Sequence, residues 1–163
     1  GSVYPKDSIT KLSAAARSKG LGVHLDGARI FNAMAVTGQT PQQFGAWFDS
    51  ISVCLSKGLG APVGSVLLGS HAFIKQARRV RKRLGGGWRQ AGFLAAAGIY
   101  ALDHHVTRLQ EDHARAKEIA AICAGLPWVD SILPVSTNIA PGIYFSHVKY
   151  NDQVITQRVV INK

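Results

Sequence analysis

Sulfur, acid and long apolar runs are all scarce in this 163-residue chain, and each scarcity closes off a class of protein. Cysteine occurs twice, at Cys54 and Cys123, each isolated in apolar surroundings. Two such thiols make no disulfide framework. They read as core side chains of a protein in a reducing compartment, the cytoplasm. Charges or Gly and Pro interrupt every apolar stretch, so none approaches the roughly 20 residues that cross a bilayer. The first residues, Gly1 to Lys6, carry no apolar core of the signal-peptide kind. No low-complexity tract or internal repeat is present. Methionine occurs once, at Met34, and the chain opens and closes in mid-pattern, so a piece of a longer protein is the expectation.

Nine Asp and Glu stand against 19 Lys and Arg, for a net charge of +10. That balance raises the question of a polyanion partner. The basic residues are densest from Lys75 to Arg83, six in nine positions. On a helix they spread around much of the circumference, the pattern of a solvated face. No RNP-like motif, zinc-ligand spacing or interleaved aromatic stripe accompanies them, so a nucleic-acid-binding domain is the weaker, non-enzyme alternative. A Walker loop and a G-x-S-x-G elbow are also missing. Gly58-x-Gly60 fails as a dinucleotide fingerprint, because Pro62 and another apolar strand follow where a helix should begin. His104, His105 and His113 share a helical stretch with Arg108, Glu111 and Asp112 and read as surface charge rather than metal ligands.

What is present alternates between helix and short apolar strand. Ser8 is placed to cap a helix to Lys19, with Gly20 as its stop. Gly22 to Leu25 is a strand, Ala28 to Val36 a helix closed by Gly38, and Thr40-Pro41 the start of another. Ile51 to Leu55 and Ser65 to Leu68 are strands, and Ser70 caps the basic helix, which ends at Gly85-Gly86-Gly87. The region from Gln90 to about Ala124 is helical with a break near Asp103-His104-His105. Val129 to Leu133 and Ile139 to Phe145 read as strands, and Val159 to Ile161 as a strand-like run with nothing to close it. The pattern is α/β, with a mostly parallel sheet flanked by helices and the start of an α+β unit.

In such sheets ligands bind beyond the carboxyl ends of the strands. Asp26 and Lys57 both fall there, far enough apart for a strand–helix–strand passage. Each alone has a plain reading, Asp26 as a turn residue before Gly27 and Lys57 as a solvated turn lysine. Together they meet two needs of pyridoxal phosphate: a lysine for a Schiff base and a carboxylate that keeps the ring nitrogen protonated. Partial desolvation at the sheet's lip would turn the lysine into a nucleophile.

The runs His24 to Ala33 (HLDGARIFNA), Leu55 to Ser65 (LSKGLGAPVGS) and Leu84 to Gly92 (LGGGWRQAG) resemble three consecutive motifs of the threonine aldolases, fold type I pyridoxal-phosphate lyases. The resemblance runs from Val3 to about Val135. It implies that residues 1–125 are the C-terminal part of a cofactor-binding large domain and 126–163 the beginning of a small one. It also implies roles: Lys57 as the Schiff-base lysine, Asp26 as the pyridinium partner, Arg29 on the substrate carboxylate and Arg89 near the cofactor phosphate, in a neighbouring subunit. The implied reaction is retro-aldol cleavage of threonine or allo-threonine, a β-hydroxy-α-amino acid, to glycine and acetaldehyde in a homotetramer. Another fold type I lyase or an aminotransferase is the enzymatic alternative, against which the Gly-Gly-Gly-Trp-Arg-Gln-Ala-Gly segment argues. The family's N-terminal phosphate loop and stacking histidine, and its C-terminal arginine, have no counterpart here. The 163 residues are expected to be inactive alone.

Overall fold

The computed structural model describes residues 2–129, 131–137, 142–150 and 153–161. Its chain forms two compact units, one of residues 4–109 and one made by 110–163 with the first three residues.

The larger unit is built on a three-stranded sheet in the order β1 (His24–Asp26), β2 (Ser50–Cys54), β3 (Ser65–Gly69). β1 and β2 run parallel with Leu25 opposite Ile51 and Asp26 opposite Ser52. The crossover between them holds α2 (Ile30–Thr37) and α3 (Pro41–Trp47), preceded in sequence by α1 (Lys6–Ser18). Ile51 and Val53 point to one face, as the two-residue period of a strand requires, and are buried with Ile30 and Phe44. Ile9, Leu25, Phe31, Met34, Trp47 and Phe48 close around them. Ser13, buried on α1, donates to the Trp47 carbonyl, while Arg17 donates to the Ala46 carbonyl at 3.2 Å.

The sheet is mixed rather than mostly parallel, because β3 returns antiparallel to β2 with Cys54 opposite Ser65. Residues 55–64 join these strands, fewer than the dozen or so that a parallel crossover takes. β3 is an edge strand, and Val66, Leu67 and Leu68 are all exposed on it. α4 (His71–Arg83) carries the basic cluster, and α5 (Gly92–His104) follows the glycine-rich loop.

Capping chemistry accounts for several ends. Thr40 and Gln43 form a reciprocal capping box with Pro41 in the first turn, and the Ser70 hydroxyl accepts from the Phe73 N–H at 3.3 Å. α2 stops at Gly38, which is left-handed at φ 69°. Two starts differ from expectation. α1 begins at Lys6, ahead of Ser8, with Pro5 as its flanking residue. α2 begins at Ile30 rather than Ala28, because Gly27 still belongs to the sheet: its N–H donates to the Ser52 carbonyl at 2.8 Å.

The second unit contains α6 (Leu109–Ala124) from its second residue onward and a hairpin of β4 (Gly142–Tyr150) and β5 (Gln153–Ile161). The Val159–Ile161 run is thus closed by Tyr144, Ile143 and Gly142. Residues 129 and 131–133 form no strand, since an apolar run bracketed by Pro127 and Pro134 finds no ladder partner among the described residues. Of the other expected strand, 139–141 lies outside the described residues and Gly142 to Phe145 falls in β4. No helix among the described residues is long and apolar enough to cross a membrane.

His113, expected on the surface, is buried at 5 % exposure on α6. Burial pulls its pKa below the ordinary 6.5, Asp112 opposing and Lys117 adding to the effect. The unfolded chain therefore takes up a proton at a higher pH than the folded one, and stability falls as pH drops below about 6.5. The dependence on His113 vanishes above that pH and cannot exceed about 1.4 kcal/mol per pH unit. His113→Phe should flatten the acid side of a plot of unfolding midpoint against pH; an unchanged slope in the variant would show that His113 is not the group responsible.

Candidate active site

Two backbone devices place the candidate residues. At the end of β1, the Asp26 carboxylate accepts the Ala28 N–H at 3.2 Å, while the Gly27 N–H extends the ladder to β2. A Cβ at Gly27 would lie 2.9 Å from the Ser52 carbonyl oxygen and 3.0 Å from the Ile51 side chain. Only glycine allows that approach. Arg29 falls in the turn just before α2, where Ile30 N–H returns to the Gly27 carbonyl at 3.0 Å. Asp26 and Arg29 are both exposed.

At the end of β2 the chain enters a tight loop. Leu55 N–H donates to the Gly64 carbonyl at 2.9 Å, Ala61 N–H to Leu55 at 3.0 Å, and Gly60 N–H to Lys57 at 2.9 Å. Leu59 and Ala61 turn inward and pack with Ala101 and Leu109, supported by Phe31, Ala35, Leu55 and Val106. Leu59 is 2 % exposed and Leu109 fully buried. Gly58 closes against the buried Asn32 of α2: a Cβ there would sit 2.9 Å from Asn32 Oδ1 and 3.1 Å from Leu109 Cδ2. The His105 ring nitrogen Nδ1 lies 2.6 Å from the Leu59 carbonyl oxygen. The base of this loop is therefore rigid, while the Lys57 side chain projects into solvent. The desolvation expected of Lys57 is not supplied by the described residues.

Because β1 and β2 are parallel neighbours, Asp26 and Lys57 stand on one rim of the sheet, and Arg29 joins them through its place beside Asp26. Arg89 does not join them. It is exposed in the loop between α4 and α5, with no hydrogen bond or ion pair to the described residues. Asn32, Gly58 and His105 form the underside of the lysine loop; sequence alone weighs Gly58 only as a failed fingerprint and His105 only as surface charge, and gives Asn32 no role. The one signal for Asn32 was a polar residue in an otherwise apolar helix.

The sequence profile of the beta-eliminating lyases matches residues 1–140. The chain belongs to that family. It is 50 % identical over 120 residues to the low specificity L-threonine aldolase of Escherichia coli K12, covering 74 % of this chain and 36 % of that protein. With the low-specificity L-threonine aldolase of Candida albicans it shares 44 % over 123 residues, 76 % of this chain and 33 % of the relative. The chain thus spans about a third of the length of these relatives. Among solved structures, a putative aromatic amino acid beta-eliminating lyase/threonine aldolase from Exiguobacterium superposes with a TM-score of 0.78 at 27 % identity, over 90 % of this chain and 42 % of that one. A putative L-allo-threonine aldolase from Listeria monocytogenes gives 0.77 at 25 % identity, over 83 % and 38 %. The fold is that of the large domain of fold type I enzymes, present here in part.

The lyase-family loop should be intolerant of a side chain at Gly58, whereas Gly45 on α3 should accept one. Gly58→Ala should cost about 1–3 kcal/mol through overpacking against Asn32 and Leu109. Gly45→Ala, on α3 with no heavy atom within 4 Å of the new Cβ, should stabilise by roughly 0.5–1 kcal/mol. Urea unfolding of the two variants in the full-length protein checks both signs.

Proposed function

We propose that the protein carrying this chain is a pyridoxal-phosphate-dependent threonine aldolase that cleaves L-threonine or L-allo-threonine to glycine and acetaldehyde. The observation that carries the reading is the placing of Asp26 at the end of β1 and of Lys57 in the loop that follows the adjacent parallel strand β2, within a segment half identical to a low specificity L-threonine aldolase. The donor set fits the cofactor: an amine, a carboxylate and, next to the carboxylate, a guanidinium.

When bound, pyridoxal phosphate supplies an electron sink for the carbanion left at Cα. Lys57 would be the amine that holds the cofactor's aldehyde carbon and, once released, would serve as a proton carrier for Cα. Asp26, whose Oδ1 accepts the Ala28 N–H at 3.2 Å, would hold the pyridine nitrogen in its protonated form. Arg29 offers a planar fork to the substrate carboxylate, a geometry suited to bidentate contact. Arg89, exposed and unbonded, is available for a phosphate in a neighbouring subunit of a cytoplasmic homotetramer. The β-hydroxyl proton leaves as acetaldehyde forms, and Cα gains one as glycine forms, so the reaction balances without water or an oxidant. We assign residues 1–125 to the large domain and 126–163 to the start of the small one.

In the full-length protein, Lys57→Ala should abolish acetaldehyde release from threonine, and Asp26→Asn should lower kcat by about 10²–10³, as removal of one preorganised charge does elsewhere. The 163-residue chain by itself should be inactive. A full-length protein that takes up no pyridoxal phosphate and releases no acetaldehyde would falsify the reading.

A further inference from the structure

His105 follows α5 as its C-terminal cap residue, its own N–H donating to the Ala101 carbonyl at 2.9 Å. The half-buried ring does something that position does not require. Nδ1 approaches the Leu59 carbonyl oxygen to 2.6 Å, across 46 residues of sequence. A carbonyl only accepts, so Nδ1 carries the proton whether the imidazole is neutral or charged. Among the described residues no backbone N–H reaches that oxygen. The ring is itself held edge-on to Tyr100, at 5.5 Å and 87°. Leu59 lies two residues beyond Lys57, and its side chain is locked in the core with Leu109. Gly60, next along, is left-handed at φ 70° and would bring a Cβ to 3.8 Å from His105 Nδ1.

We propose that His105 is a positioning residue for Lys57. The loop from Lys57 to Gly60 is fixed at four points: Gly58 against Asn32, Leu59 in the core, the Gly60 N–H on the Lys57 carbonyl, and the Leu59 carbonyl on the His105 ring. The first two resist displacement but tolerate rotation of the Leu59 peptide, because packing is weakly directional. The two hydrogen bonds, through the N–H and the C=O of the Leu59–Gly60 peptide, are directional and stop that rotation, and the one from His105 is the one supplied from outside the loop. Peptide planes at Gly58 and Leu59 determine where the Lys57 backbone starts, hence where a flexible four-carbon side chain can deliver its amine. The inference rests on the reading of Lys57 as the cofactor-binding amine.

The test compares three substitutions in the full-length protein. His105→Asn keeps an N–H donor near the place of Nδ1. His105→Gln keeps polarity but moves the donor by one methylene, and His105→Leu removes it. Two measurements are made. The first is the rate of Lys57 acetylation by acetic anhydride relative to the other lysines, read by peptide mass mapping without cofactor. The second is kcat and KM for threonine cleavage with pyridoxal phosphate bound. A positioning role predicts that Leu changes relative Lys57 acetylation at least about threefold and lowers kcat about 10- to 100-fold with little change in KM, the size expected of a misplaced catalytic group. Asn should restore both to within about threefold of wild type, with Gln between. Should Leu not fold, the Asn and Gln pair alone decides the matter.

Equal Lys57 acetylation in every folded variant would overturn the proposal. So would a loss of activity in Asn as deep as in Leu. Absence of threonine cleavage by the wild type would instead count against the aldolase reading, and the acetylation comparison would still decide the role of His105.

Discussion

The parallel pairing of β1 with β2 is the constraint on which the rest of the molecule hangs. Asp26 lies opposite Ser52, and the Gly27 N–H reaches the Ser52 carbonyl one step beyond the strand. Slip the register by one residue and Ile51 and Val53 would leave the core for the other face. That cost in buried apolar surface holds the register, and the register holds the carboxyl ends of both strands at one edge of the sheet. A carboxylate and an amine separated in sequence by two helices then share one rim of the sheet. The chemistry proposed for this lyase-family chain follows from that shared edge.

The lysine loop obeys a second constraint, close packing from beneath. Leu59 and Leu109 are buried almost completely, and Gly58 fits against Asn32 only because it has no side chain. The loop spends its apolar residues on anchorage and leaves the charged one free, so a rigid base carries an exposed amine. Rigidity here is inherited from the helices: α2 supplies Asn32, and the end of α5 supplies His105. Loss of either element would loosen the loop without touching Lys57.

Much of the fold was legible because it rests on local signals. The Thr40-Pro41 cap, the Ser70 cap, the Gly38 stop and the break near His104 are each written within a few residues, and each occurs as expected. The expectations that failed involve partners remote in sequence. α2 starts late because Gly27 is claimed by β2, and the β2–β3 pairing is antiparallel because a short loop forbids a crossover. His105 and His113 read as surface charge from their neighbours on the helix. Their burial depends on what packs against that helix, which no helical periodicity reports. The run around Val129 is apolar enough for a strand but finds no partner among the described residues.

By itself the sequence determined most of the element types, the family resemblance through three long motifs, and Asp26 and Lys57 as the candidate pair. Those are properties of residues a few positions apart, where propensity, capping and motif spacing act. Only the tertiary structure decided that Lys57 stands in solvent on a packed base, that Asn32 lies under Gly58, and that a histidine ring holds the Leu59 carbonyl. Such contacts join residues tens of positions apart, and burial and hydrogen-bond geometry come into being only when the chain closes on itself.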